Sequence, residues 1–415
     1  MIYRLLKILP ILLILLFASC DNETVQLDES PFLSDADSIL IKVIPHNEPI
    51  EIGKYIDSVF YVKLELTDES IIGQIDKLII FENRIHILDT QTSSVFIFDM
   101  TGKYLSKICR IGNGPGEYRK LHFFDIDKEK RQIVLVDLLS MWIMRYDFDG
   151  KYISRKRIQI FTISIIPSQN GEYISFSNFR NNSRFLAPEY NLMYLDSLFQ
   201  IDKVYFPYYS KNFYNPFIPF ITNPSGPFYT FNNQIHFTYN FKNEVYIVNN
   251  EGLALKYKFD FNGKNFRYSS IQKKDGLYDY VLKGTYWTIN QVCESDDMLS
   301  FTFSDNSDKT IYTGFYSKRT GNVINSTRYL LTRMRFLYLP ISSHEDWLIS
   351  EFPVDDLLEW RKLIEKMNDA LEEKGYKGER DKFLGYHALI ARKRVADSLT
   401  FEDNPVLMFF RLKPF

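Results

Sequence analysis

The chain has 415 residues, 50 of them basic and 52 acidic, for a formal net charge of −2. That balance carries no polyanion-binding signal, so nucleic acid is not an expected partner. Hydrophobic residues make up 45% and aromatic residues 16%, mostly Tyr and Phe, which supplies a large core and favours β-sheet over a helix bundle.

At the N-terminus, Arg4 and Lys7 precede an apolar run, Ile8–Phe17, and then Phe17-Ala18-Ser19-Cys20. The run is shorter than the roughly 20 residues of a membrane span, so residues 1–20 read as an export signal. Phe17–Cys20 resembles the lipobox of bacterial lipoproteins, with Phe where Leu is commoner. The resemblance implies lipidation at Cys20, which would hold the mature chain to a membrane. Residues 21–45, polar and acidic at their start, are expected to form a flexible tether, and residues 46–415 the folded body.

A duplication follows. Asn83–Asp89 leads to Val95–Tyr104, and Arg131–Asp137 leads to Ile143–Tyr152; Asp89 and Asp137, Asp99 and Asp147, and Gly102 and Gly150 are each 48 residues apart. A β-rich unit with that period predicts a propeller blade. Strand a of the first blade is expected at Gln74–Ile80, b at Ile85–Asp89, c at Val95–Asp99 and d at Tyr104–Ile108, with the Asp-x-x-Gly turns joining c to d.

The pattern continues downstream. Gly171–Phe176 and Tyr190–Asp196 supply a third blade, Ile235–Gly252 a fourth, and Met298–Phe303 with Ile311–Ser317 a fifth. A sixth starts near Phe336–Leu339 and continues through Trp347–Phe352. It is then interrupted by a helical insertion over 354–400: Leu357, Leu358, Leu363, Ile364, Met367 and Leu371 mark one face, Gly375 stops the first helix, and a second spans Arg380–Leu399. Pro405–Leu412 then reads as strand c, and the missing strand d is expected from Val59–Leu64, closing the ring. The predicted fold is an all-β, six-bladed β-propeller. Cys109 and Cys293 fall on distant blades and are expected as free thiols.

The lipobox-like Phe17–Cys20, the Gly112–Tyr118 loop, the Asp-x-x-Gly-Lys turns and the terminal Asp403–Leu407 segment after a helical insertion resemble the six-bladed propeller lipoproteins of Bacteroidetes, relatives of NHL-type propellers. The resemblance implies a lipid-anchored cell-envelope protein, held at the outer membrane. It implies no activity, because fold does not dictate function.

Strand direction alternates within a blade, so the b–c loops and d–a connections share one face, here the upper. Gly112-Asn113-Gly114-Pro115-Gly116-Glu117-Tyr118 is a d–a connection, and the helical insertion replaces a b–c loop, so both belong there. The loop is open to two readings: a cradle of backbone N–H groups for an anion, with Arg110, Asn113, Glu117 and Tyr118 adding polar contacts, or a tight crossing between blades. His122 follows it as the one histidine placed for catalysis; His86 and His236 are repeat-equivalent and serve the sheet. Trp142 and Tyr239 are candidate stacking platforms, and Arg180, beside Asn181, Asn182 and Ser183, is a candidate contact. Asn240, Asp305 and Asn306 also fall on this face. Asp89 and Asp137 recur with the repeat and read as turn caps. Asp125 and Asp127 alternate on a strand and need not meet another acid. The helix pair is a lid, a docking surface or simple packing.

No Gly-x-Ser-x-Gly elbow, Walker motif or His/Cys metal cluster is present, so no catalytic set, metal or cofactor is assigned. The leading expectation is a non-enzymatic module that binds a glycan or peptide, or scaffolds an envelope protein complex, through the upper face. The rivals are a lyase or hydrolase at the channel mouth and a purely structural docking propeller.

Overall fold

The computed structural model describes residues 28–33, 38–182, 189–208, 226–239, 241–270, 287–305, 310–332, 335–336, 338–373 and 386–415. Six sheets are built on a four-strand a-to-d order, and together they form the six-bladed propeller that the repeat predicts. Strand a, nearest the axis, is Lys77–Phe81 in blade one, Phe123–Asp127 in two, Ser164–Pro167 in three, Phe228–Phe231 in four, Trp287–Glu294 in five and Pro340–His344 in six.

The core is a ring of six hydrophobic clusters, one at each blade interface. Leu88 and Phe124 share one cluster across blades one and two, and Val245 and Leu299 share another across blades four and five. Blades are therefore buried on both faces, which is why strand b of blade one reads as a continuous run rather than an alternation. Outer strands lose this burial: Tyr152–Arg157 in blade two exposes Arg155–Arg157 only partly or fully to water, and its charges protect the sheet edge.

Ring closure follows the expected pairing. Ile56–Lys63 runs antiparallel to Val406–Leu412 as strand d of blade six, and the Phe60 and Phe409 rings stack at 4.6 Å. The insertion between strands b and c of that blade holds two helices, α1 (Val354–Glu373) and α2 (Tyr386–Asp397). Leu357, Leu358 and Trp360 of α1 bury into the cluster between blades five and six with Phe352, Ala396 and Leu399. The Arg392 guanidinium of α2 lies 4.5 Å from the Phe352 ring and 4.8 Å from the Trp360 ring. Of the three readings, packing onto the closing blade is the one these contacts support. Gly375, the start of the second predicted helix and the side chains of Leu363, Ile364, Met367 and Leu371 lie outside the described residues, as do Cys20, Ser183, Asn240 and Asn306.

Two expectations change. The sixth blade does not begin at Phe336: Arg335–Phe336 pairs with Leu330–Thr332 in a separate hairpin, and strand a starts at Pro340. Within the expected tether, 21–45, described residues 30–33 and 39–43 are held against the propeller. Ser30 and Leu33 donate backbone hydrogen bonds to Val204 and Leu253, and Phe32 packs edge-on against Tyr205 at 5.2 Å. Ile39–Lys42 then pairs in parallel with the nine-residue outer strand of blade four, Gly252–Asp260, as a fifth strand. Ile41 and Val43 are fully buried there. The otherwise unpaired edge of that outer strand captures the apolar Ile39–Val43 segment, which buries Ile41 and Val43 and covers the edge.

Candidate functional site

The glycine loop is occupied by its own bonds. Gly112 N donates to Tyr118 O, Tyr118 N to Arg110 O and Glu117 N to Gly114 O, at 2.9–3.1 Å. Gly114 N donates to Glu117 Oε2 at 2.8 Å. Four of the N–H groups that an anion cradle would need are thus already satisfied. Tyr118, 1% exposed, donates its hydroxyl to Ser93 O at 2.8 Å or Ile108 O at 3.1 Å, and burial pushes that phenol above its ordinary value. Tyr146 reaches Gly116 O, and Arg155 reaches Gly114 O. A Cβ on Gly116, at φ +74°, would lie 2.6 Å from the Tyr152 ring. The crossing between blades is what this glycine pattern builds.

The other sequence candidates are dispersed. Arg110 and Asn113 are exposed at the loop, and Arg110 Nη2 reaches Gly150 O at 3.4 Å. His122 is half-buried beside Lys120 O and Leu138 N; burial lowers its pKa, with Asp137 opposing. Trp142 already carries the Arg155 guanidinium 4.5 Å from its ring. Arg180 is exposed, 5.6 Å from the Phe161 ring. Tyr239 is not a platform. It is 1% exposed, stacked on Phe206 at 4.2 Å and hydrogen-bonded to Asn191, because strand b of blade four faces an aromatic blade interface.

Asp89 and Asp137 cap turns in the same way. Each Oδ1 accepts from the backbone two and three residues on: Gln91 and Thr92, and Leu139 and Ser140. Each Oδ2 accepts from the segment leading into strand a, Gly73 N and Arg119 N, both at 2.8 Å.

Polar groups instead converge along the axis, around a cavity of about 320 Å³ walled by the inner strands of blades one, two, four, five and six. It reaches the a–b hairpins of the lower face, where Phe81, Lys128 and Asn233 also line a broader cleft of about 710 Å³ against blade three. Gln169, Asn170 and Gln234 add amides to that cleft, and Asn232 adds another to the cavity. None of the eight sequence candidates lines either space.

Three charged arrangements line this axis. Lys77 Nζ pairs with Asp125 Oδ2 at 2.7 Å and sits 4.0 Å from the Phe123 ring; burial lowers the Lys77 pKa against the opposing pull of Asp125. Glu294, at the end of strand a of blade five, is fully buried and takes bonds from Lys318 at 2.7 Å, Tyr257 at 2.8 Å, and Lys256 and Tyr229 at 2.9 Å. Burial alone would raise its carboxyl, but Lys318, His236 and Lys256 outweigh that and hold it below the ordinary value. Lys128, half-buried at the junction of the two spaces, lies 5.8 Å from the Phe81 ring. Burial lowers its pKa, with Asp125 opposing.

Lys77, Lys128 and Glu294 were invisible as a set in the sequence. Their only signal was a charge within or beside an inner, otherwise apolar strand, and Asp125 finds a cation on the neighbouring blade rather than another acid.

Among solved structures, the chain is similar to a Bacteroides fragilis protein provisionally described as exported: 20% identity, TM-score 0.66, with 91% of this chain and 100% of that one covered. A DUF4221 family member from Bacteroides vulgatus matches at 8% identity and TM-score 0.46, over 86% and 97% of the two chains. Virginiamycin B lyase from Staphylococcus aureus matches at 11% and 0.37, over 65% and 74%. The first likeness shows the fold alone, and the other two are too distant to bear on function. No curated protein matches the chain. The model of the domain of unknown function DUF4934 matches residues 38–411, and the chain belongs to that family.

Proposed function

We propose that this chain is a lipid-anchored cell-envelope protein, held at the outer membrane through Cys20, whose propeller binds a glycan at the axial cavity of the lower face. One observation carries the binding reading: polar side chains from five blades meet around a space of about 320 Å³ that continues into an amide-rimmed cleft. Asn232, Asn233, Gln169 and Asn170 offer paired donors and acceptors suited to vicinal hydroxyls, and the half-buried Phe81 offers an apolar surface. The upper face, favoured by the glycine loop and the helices, has its main features spent on packing. Export is supported by Arg4, Lys7 and the apolar run before Cys20, and by the exported description of the similar Bacteroides fragilis protein.

The test is titration calorimetry of the full chain in detergent against envelope and host glycans, with Asn233→Ala as the site variant. Saturable glycan binding weakened by that variant is expected. Saturable binding that Asn233→Ala leaves intact but Glu117→Ala abolishes would return the site to the upper face.

A further inference from the structure

The described chain begins at the upper rim. Glu29 Oε1 accepts from Phe206 N and Ser30 N donates to Val204 O, both at 2.8 Å, while Leu33 N donates to Leu253 O further down. Phe206 is near the upper end of strand d of blade three, Ile201–Pro207, and Leu253 is near the lower end of strand d of blade four. Residues 28–33 therefore run from the upper rim downward, and Asp28 is held at that rim. Burial raises the pKa of Tyr190, at the upper end of strand c of blade three, and the nearby carboxylates of Glu29 and Asp28 raise it further. A lipid at Cys20 lies within about 30 Å of chain from this point.

The two faces differ in what they show to solvent. Ile71, Ile111, Leu139 and Phe401, on the upper connections, are 60–65% exposed, and among the described residues only Leu198 matches them on the lower turns. Among the described residues from the junction of blades one and two to that of blades four and five, the upper face exposes Arg110, Arg119, Lys120, Arg157, Arg180, Lys264 and Arg267 against Asp28, Glu29 and Glu117. Half-buried Lys242, Glu189 and Asp260 do not reverse that excess. The axial cavity of the lower face has the opposite balance: Lys77 and Lys128 line it against Glu82, Asp125, Glu294 and Glu345.

We infer that the propeller lies on an anionic bilayer by the upper face of blades two to four, with the axial cavity turned away from it. This rests on the lipid anchor at Cys20 proposed above and adds the face that meets the membrane. Ile111 and Leu139 are placed to enter the headgroup layer, where taking apolar surface out of water stabilises the contact. The flanking arginines and lysines meet lipid phosphates, and the net acidic cavity mouth is repelled by the same surface. The arrangement leaves the cavity open to ligands from the aqueous side.

The experiment reconstitutes the full lipidated chain in phosphatidylcholine vesicles, with and without phosphatidylglycerol, doped with a lipid spin-labelled near its headgroup. In a Cys109→Ser background, which removes the exposed thiol, a fluorophore is attached through Leu139→Cys on the upper face or Leu198→Cys on the lower. The two ends of a six-residue strand are about 20 Å apart, so the labels report different distances from the bilayer. In anionic vesicles the spin label should quench the Leu139→Cys fluorophore at least about threefold more than the Leu198→Cys fluorophore. Arg119→Gln with Lys120→Gln should narrow that difference, as should omission of phosphatidylglycerol. Matching thermal transitions exclude misfolding as the cause. Equal quenching, or stronger quenching at Leu198→Cys, in protein that still floats with the vesicles overturns the inference but leaves the anchor standing. A difference indifferent to both phosphatidylglycerol and the two substitutions overturns the anionic surface as the partner. Protein that floats with neither vesicle overturns the inference and the anchor together.

Discussion

The Lys77 ammonium and the Asp125 carboxylate, 2.7 Å apart, join the innermost strands of blades one and two inside the channel wall. Both side chains are about nine-tenths buried, so the pair is a strut between blades rather than a surface ion pair.

Removing one partner should therefore be severe. Lys77→Met or Asp125→Asn alone is expected to cost about 3–5 kcal/mol, whereas Lys77→Met with Asp125→Leu should recover most of the loss. Urea unfolding of the four proteins measures this. Single variants within about 0.5 kcal/mol of the parent would show that the pair is solvated in solution.

Gly116 and Gly263 both sit at positive φ, +74° and +76°, but a Cβ meets the Tyr152 ring at the first and nothing within 4 Å at the second. Gly263→Ala should cost only the backbone term of about 1–2 kcal/mol. Gly116→Ala should cost clearly more, because Tyr152 must shift and the Gly114–Arg155 contact with it. Equal thermal shifts for the two would contradict the tight crossing.

His86 and His236 are buried, and burial lowers both to about 4 from an ordinary 6.5; Lys256 adds to the effect at His236. The unfolded chain binds more protons than the folded one between those values. Stability is therefore fully present above pH 6.5 and is lost as pH falls towards 4, on the order of 3 kcal/mol for each imidazole. His86→Leu should reduce the slope of unfolding free energy against pH by about one proton in this window. A slope identical to the parent's would mean that His86 titrates normally.

Cys20→Ser should move the exported protein from the detergent phase to the aqueous phase and abolish incorporation of labelled fatty acid. Because Ser30, Phe32 and Leu33 are already seated on blades three and four, the length of chain from Cys20 to Asp28 can reach at most about 30 Å, so a lipid at Cys20 would hold the propeller close to the membrane surface. Unchanged partitioning of Cys20→Ser would remove the anchor.

Much of the blade plan was legible because it depends on short-range chemistry. Asp99 and Asp147 accept from the backbone two and four residues on, with Gly102 and Gly150 at positive φ, and both turns stand out in the sequence. Asp196 makes the same turn in blade three, to Leu198 and Gln200, yet it has Phe199 at φ +63° where the others have glycine. Packing of Phe199 on Tyr173, at 4.8 Å, accompanies the unfavourable backbone, so a pattern search for glycine passes it over. The glycine loop left two readings open: its composition suits an anion cradle as well as a tight crossing, and only the bonds among Arg110, Gly112, Gly114, Glu117 and Tyr118 show that four of its N–H groups are taken.

From the sequence alone came the repeat, the strand order, the helical interruption and the need for a strand near Val59–Leu64 to complete the last blade, because alternation, turn residues and an unpaired terminal strand are local facts. Only the tertiary structure decided what faces the axis. Lys77, Asp125, Lys128 and Glu294 lie on three different blades, and their meeting depends on the closure of the ring and the angle of each inner strand. Those are set by the six apolar interfaces between blades, whose summed packing has no counterpart in any single stretch of chain.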